Sequence, residues 1–320
     1  MQPAGSPASI AGLPGRVAAA TATCRPGWRR ALDDPGCSVI WPIGTFVENL
    51  VIDRDVVIER RLSAPAILDG GGVGRVITIL GGTVKLRGLV VQNGYAEEGA
   101  GIYNAGTLRL ESVKVTDNIS DTTDDSKPGG GLYSVSNLSV DGSIFLNNSA
   151  LVGGGIAASG VATIEKTIIE YNTASLGGGI WFDGNLIPSQ QLRVITSEIN
   201  NNTASIGGGI ATTHALAFEL RESAVTQNHS AEGGGLYLNR TWIDIVNSTI
   251  SDNVATGSGG GLATISYAGK TWLYNTTVTR NSAGGEGGGI YMPSRHRRGV
   301  TTGVAVQLAI RRAHVFTVSL

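Results

Sequence analysis

Charge is scarce in this chain. Lys, Arg, Asp and Glu together make up 15 % of its 320 residues and nearly cancel, leaving a formal net charge of −1, whereas ordinary globular domains carry roughly 25 %. With neither sign in surplus, nothing global draws the chain to nucleic acid or to an anionic membrane. Cysteine is almost absent: Cys24 and Cys37 allow one disulfide or two reduced thiols, and a pair this small fixes no redox compartment. The four histidines, His214, His229, His296 and His314, are dispersed without metal-ligand spacing, and no Ser-His-Asp or Cys-His grouping emerges. No apolar run reaches the roughly 18 residues a spanning helix needs. These absences lead us to expect no cofactor, no metal site, no nucleic-acid partner and no membrane-spanning segment. The first residues, MQPAGSPASIAGLPGRVAAATA, lack the charged start and apolar centre of a full signal peptide, so 1–30 reads as a disordered or degraded signal-like segment.

Glycine, by contrast, is abundant, with 47 residues, about twice the usual ~7 % share. Its placement is periodic. The third glycine of successive GGG phrases falls at Gly131, Gly155, Gly179, Gly209, Gly235, Gly261 and Gly289, preceded by Gly101 in GAGI, at intervals of 30, 24, 24, 30, 26, 26 and 28 residues. An asparagine stands seven or eight residues ahead in six of these units: Asn148, Asn172, Asn202, Asn228, Asn253 and Asn281. Asn93 and Asn118 extend the column, Asn118 lying further off because of the insert DTTDDSKP.

Three residues before each asparagine stand Val90, Val115, Phe145, Ile169, Ile199, Val225, Ile250 and Val278. Five before stand Ser143, Thr167, Ser197, Ser223, Ser248 and Thr276, and eight before stand Leu110, Val140, Ile164, Val194, Leu220, Ile245 and Leu273. The residue ahead of that last column is polar (Arg109, Ser139, Thr163, Arg193, Glu219, Asp244) except at Trp272. Alternation over three to five residues marks short strands with one buried face. Each unit thus predicts three strands, at GGG-[IL]-x, at L-x-L and at S-x-I-x-x-N, with turns between. Units of this size cannot bury an apolar face alone and must stack on their neighbours. The expected fold is all-β: a single right-handed parallel β-helix of roughly ten coils, 45–50 Å long at about 4.8 Å per coil. A calcium-binding nonapeptide roll would need aspartate two places after the third glycine, where this chain has Tyr or other non-acidic residues, and the leucine-rich-repeat phrase is missing.

The seven GGG[IL] phrases, paired with S/T-x-[IV]-x-x-N, resemble the GG[aliphatic] and FxxN repeats of polymorphic outer membrane proteins over about 88–291, with Phe145 to Asn148 a true FxxN. That resemblance implies a β-helix displayed at a surface, with adhesion as its role, and therefore an extracellular or cell-surface location. The stretch ALDDPGCSVIWPIGTFVENLVIDRDVVI at 31–58 resembles the entry to a pectin-lyase-like β-helix, which implies a short capping helix and a Gly-Thr-aromatic phrase (Gly44, Thr45, Phe46) leading into the first coil. We divide the chain into the segment 1–30, an N-terminal cap at 31–46, the β-helix at 47–291 and an off-pattern basic tail or cap at 292–320. The tail, with Arg295, Arg297, Arg298, Arg311 and Arg312 and no Asp, Glu or Asn, reads as a divergent cap or the product of a shifted reading frame.

For chemistry the residues offer little. Asp69 in ILDGGG reads as a turn-bonding side chain, and Asp121, Asp124 and Asp125 as a solvated acidic loop before a weak calcium site. Glu170, Glu198 and Glu222 lie near one strand of successive coils but at different positions in the phrase, short of the paired carboxylates a glycosidase requires. Eight Asn-x-Ser/Thr phrases, at Asn118, Asn137, Asn147, Asn201, Asn228, Asn239, Asn247 and Asn275, read as by-products of the repeat. Two columns stand out. Asn118, Asn148, Asn172, Asn202, Asn228, Asn253 and Asn281 should form a structural ladder along the axis. Two places after the third glycine, on the outward side, come Tyr103, Tyr133, Trp181, Tyr237 and Tyr291, candidate glycan-stacking rings whose plainer role is to shield the sheet. The function expected is a non-catalytic exported rod in surface structure, adhesion or glycan binding, with polysaccharide or a host or cell surface as partner. The alternative is a carbohydrate-active β-helix enzyme.

Overall fold

The structure, a computed structural model, describes residues 34, 36–61, 64–184, 190–265 and 271–293. The segment 1–30, Cys24 and nearly all of the 292–320 tail lie outside the described residues. Three parallel sheets of ten strands each run the length of the molecule. We label them A (the L-x-L strands, such as Ala162–Glu165), B (the S-x-I strands, such as Ile168–Glu170) and C (the strands after the glycine triplet, such as Ile180–Asp183). Chain order within a coil is C, A, B, and like strands of successive coils pair in register, for example Ile180↔Ile210↔Leu236. This is the right-handed parallel β-helix with three strands per coil. No helix occurs among the described residues.

The period-two pattern fixes which side chains fill the tube. In sheet A the buried columns include Leu110, Val140, Ile164, Val194, Leu220 and Ile245, in sheet B Val115, Phe145, Ile169, Ile199, Val225 and Ile250, and in sheet C Ile156, Ile180, Ile210 and Leu236. All join one continuous core, in which each fully buried Ile, Leu or Phe contributes about 1.5–3 kcal/mol.

Two buried polar ladders run beside that core. Each ladder asparagine donates from Nδ2 to Oδ1 of the asparagine one coil on, at 2.9–3.0 Å from Asn118 through to Asn281. The same Oδ1 accepts the backbone N–H of the preceding asparagine, as in Asn172 to Asn202 at 3.0 Å, and the second Nδ2 hydrogen reaches a sheet-B carbonyl, as in Asn202 to Ile169 at 2.9 Å. The ladder starts at Asn118, not at Asn93. Register places Val115 on Val91, so Gly94 holds the ladder position and donates its N–H to Asn118 Oδ1; Asn93 is exposed, one place early, and Val91 rather than Val90 is the buried residue of that coil. The second ladder is hydroxylic: Ser197 Oγ accepts the Thr167 N–H at 3.1 Å and donates to the Ile195 carbonyl at 2.8 Å, and Ser223 and Ser248 repeat the pattern.

Left-handed backbone marks the residue just ahead of each ladder. Tyr171, Asn201, Gln227 and Asp252 precede ladder asparagines with φ of 54–59°, and Lys166, Thr196, Glu222 and Asn247 precede ladder hydroxyls with φ of 48–50°. Such a conformation costs a non-glycine residue roughly 1–2 kcal/mol, and the ladder bonds that follow offset it. Replacing Ser197 by alanine leaves the buried Thr167 N–H unpaired, so we expect a loss of about 1–2 kcal/mol in urea denaturation. An unchanged midpoint would show that this ladder carries no stability.

At the N-terminal end, Val39–Ile40 pairs with Val56–Glu59 in sheet A and Gly44–Val47 pairs with Ala66–Asp69 in sheet B. Val39–Ile40 and Gly44–Val47, assigned above to the cap, are therefore strands of the first coil, and Ile40 and Phe46 pack on the core; residues 31–33 and 35 of that cap lie outside the described residues. Cys37 is buried and disulfide-bonded; Cys24 lies outside the described residues.

Candidate functional site

Sheet C carries the outward column named above, in the order Tyr103, Tyr133, Ala157, Trp181, Ala211, Tyr237, Ala263, Tyr291. Tyr103 and Tyr133 meet edge to face with centroids 5.8 Å apart, and Arg75 caps Tyr103 at 5.0 Å. Tyr133 keeps only 9 % exposure, and Ala157, Ala211 and Ala263 are buried. Burial, reinforced by Glu98, raises the Tyr133 phenol, and burial raises that of Tyr237. From Tyr133 onward large rings alternate along the column with buried alanines, and Trp181, Tyr237 and Tyr291 are half-buried.

The acidic candidates fall apart in space. Asp69 Oδ1 accepts the Gly71 N–H at 2.8 Å, while Oδ2 takes Gln92 and Asn93 amides; burial raises its carboxyl, but these hydrogen bonds outweigh it and hold it below its ordinary value. Asp124 bonds Ser126 within its own loop, and Asp121 accepts from the Tyr95 hydroxyl. Glu170 and Glu198 occupy different columns of sheet B, and Glu222 is on the turn before it.

The outward face of sheet A is different. Three registered columns cross its C-terminal half: Gln191, Ala217, Trp242; Arg193, Glu219, Asp244, Trp272; and Ile195, Arg221, Val246, Tyr274. Trp242, Trp272 and Tyr274 are 57 %, 42 % and 65 % exposed. They border an open hollow of about 560 Å³ with Gln191, Arg193, Ala217, Glu219 and Asp244. An ion-pair network holds one wall: Arg193 Nε lies 2.6 Å from Glu219 Oε2, Arg221 Nε bonds the other Glu219 oxygen, and Arg221 reaches Asp244 Oδ2 at 3.0 Å. Burial pushes the Glu219 carboxyl up, but the two guanidiniums outweigh it and hold it below the ordinary value. Further along the same face, Lys85 and Arg109 hold Glu111 down in the same way against burial.

Because the folded Glu219 pKa is depressed, its contribution to stability is present above the unfolded value of about 4.3 and is lost as pH falls through the folded one. Glu219→Gln should therefore cost about 1 kcal/mol at pH 7 and nothing at about pH 2, read from urea melts at both. A cost that persists in acid would assign the loss to packing.

Of these residues only Trp272 broke a pattern in the sequence, as the one apolar member of a polar column. Trp242 and Tyr274 gave no signal, because the columns they occupy on sheet A can be drawn only once the register is known.

Three sheets and two internal polar ladders define a parallel β-helix repeat protein. A family model, the Chlamydia polymorphic membrane protein (Chlamydia_PMP) repeat, matches residues 275–293, the stretch that holds Asn281, the last glycine triplet and Tyr291. The chain resembles those repeats in sequence there, and its fold is of the same β-helical kind throughout. No curated protein and no solved structure matches the chain. No helix among the described residues is long and apolar enough to cross a membrane.

Proposed function

We propose that the protein is a non-catalytic, surface-associated β-helix rod whose outer faces bind glycan or another cell-surface polymer. The observation that carries this reading is the ion pairing of two carboxylates, Glu219 and Glu111, on the outward face of sheet A. Glycoside hydrolysis needs one carboxyl kept protonated near neutrality opposite a second one. Glu219 and Glu111 are instead clamped by cations that keep them ionised, which suits a rigid surface and not a general acid. The similarity of residues 275–293 to a Chlamydia membrane-protein repeat supports the surface location.

Two measurements test the reading. Incubation with neutral and acidic polysaccharides should release no new reducing ends and no unsaturated products; cleavage of any of them would make the chain an enzyme. Protease treatment of intact cells producing the protein should remove it, and full protection would place it inside.

A further inference from the structure

Exposed aromatics on this rod concentrate on sheet A, not on the sheet-C column. Within the described residues of sheet A's last two coils, Trp242 stands one strand before Trp272, and Tyr274 follows Trp272 on the same face. Neighbouring parallel strands are about 4.8 Å apart and alternate residues about 6.6 Å apart along a strand, so each ring stands about 7–8 Å from the next and the row spans about 14 Å from Trp242 to Tyr274. The Ala217 methyl beside Trp242 leaves the floor low. The resulting hollow, about 560 Å³, is within the ordinary range for small-ligand sites.

The polar lining sets the class of ligand. Arg193 and Arg221 are matched by Glu219 and Asp244, so local charge sums to zero. An anionic ligand would have to break these pairs to gain a cation, and it would meet two carboxylates. An uncharged polyol loses nothing: its C–H faces stack on the rings, and its hydroxyls donate to carboxylate oxygens and accept from guanidinium N–H groups. The ion pairs hold those groups in place before binding, which lowers the ordering cost.

We propose that the hollow bounded by Trp242, Trp272, Tyr274, Ala217, Glu219 and Asp244 is a binding site for an uncharged glycan chain. It rests on the reading of the rod as a glycan-binding protein and names the face and the ligand class.

Affinity electrophoresis of the full chain tests it, in gels containing soluble β-glucan, mannan or xylan on one side and polygalacturonate or alginate on the other. Tryptophan fluorescence titration provides a second readout. At least one neutral polymer should retard the protein while the acidic ones do not. Trp242→Ala and Trp272→Ala should each weaken binding at least about tenfold, and Trp181→Ala should leave it unchanged. Ala217→Gln, which fills the floor without removing a ring, should weaken it as well, and circular dichroism melts identify any variant that fails to fold. Retardation by acidic polymers alone overturns the proposal, as does wild-type binding by the Trp242, Trp272 and Ala217 variants. If Trp181→Ala or Tyr237→Ala abolishes binding instead, this site falls and the broader glycan reading stands. If no polymer retards the protein, both fall.

Discussion

Gly208→Ala should destabilise the rod by about 3 kcal/mol or more, far beyond what alanine costs at a glycine chosen only for conformational freedom. A Cβ built on Gly208 would lie 2.5 Å from the Gly234 carbonyl oxygen and 2.6 Å from that of His229. Both are backbone atoms of the next coil, so no side chain can swing away. Coils would have to part, and the Gly208 N–H to Gly233 and Gly209 N–H to Gly234 bonds, already 3.2 and 3.3 Å, would lengthen first. Gly142 supplies the comparison. Its φ is +56° and its nearest neighbour for a Cβ is Ser112 Oγ at 3.7 Å. In the same column Lys166, Thr196 and Glu222 adopt that backbone with full side chains, so Gly142→Ala should cost only about 1 kcal/mol. Guanidinium denaturation followed by circular dichroism measures both. Equal losses would show that the triplet is needed for backbone freedom alone and that close approach of coils is not its reason.

That contrast also explains what the sequence could and could not tell. The triplets read as corners of a rod, and they are, but their three glycines differ. Gly207 has φ +65°, whereas Gly208 and Gly209 are of ordinary φ and crowded by the next coil. Sequence shows the recurrence and not the distance, and distance separates the two causes. Fold class was legible because every coil repeats the same alternation, so errors of one residue in a single unit cancel across the rest. Where only one unit speaks, spacing misleads: by its distance from Gly101, Asn93 extends the asparagine column, whereas the register puts Gly94 at that position. Val39–Ile40 and Gly44–Val47 are not legible as strands for a related reason, since the irregular first coil has no preceding copy with which to compare them.

The candidate surface was less legible than the fold. Burial inside the tube follows from period two within one strand, but a site on the outside is assembled from strands about 25 residues apart in sequence. Trp242, Asp244 and Trp272 become neighbours only through the pairing of two coils. The outward aromatics of sheet C draw notice because they share one position in the repeat, and that regularity also sets Tyr133 edge to face against Tyr103, with 9 % of its surface exposed. A column that repeats is available for mutual packing; rings that break the pattern, as Trp272 does, have no partner of their own kind above and below.

Asn202→Asp should produce the largest pH-dependent loss in the protein. Asn202 is fully buried. Its Nδ2 group is directed at three acceptors, the Ile169 carbonyl, the Asn200 carbonyl and Asn228 Oδ1, at 2.9, 3.0 and 3.0 Å. A carboxylate there keeps the bonds accepted from Asn172 and turns its other oxygen, ionised and lacking a hydrogen, toward those three. Burial and facing acceptors both disfavour the charged form, so the folded pKa of the new group is raised above its unfolded value of about 3.9. For a raised pKa the contribution to stability is fully present below the unfolded value and is lost as pH rises through the folded one. We expect a deficit of about 1–3 kcal/mol in acid, where the protonated group still donates one bond, growing to about 4 kcal/mol or more at pH 7. Asn202→Leu, which cannot ionise, should lose about 3 kcal/mol at either pH, since it orphans the buried Asn172 N–H and leaves the Asn172 Nδ2 group without the Asn202 Oδ1 acceptor. Asn281, partly exposed at the last described rung, should tolerate leucine at about 1 kcal/mol because water can replace its lost bonds. Denaturant melts of the three variants at pH 4 and pH 7 decide the matter. A pH-independent Asn202→Asp, or equal losses at Asn202 and Asn281, would mean that the amide ladder is a passive consequence of stacking and not one of the interactions that hold the coils in register.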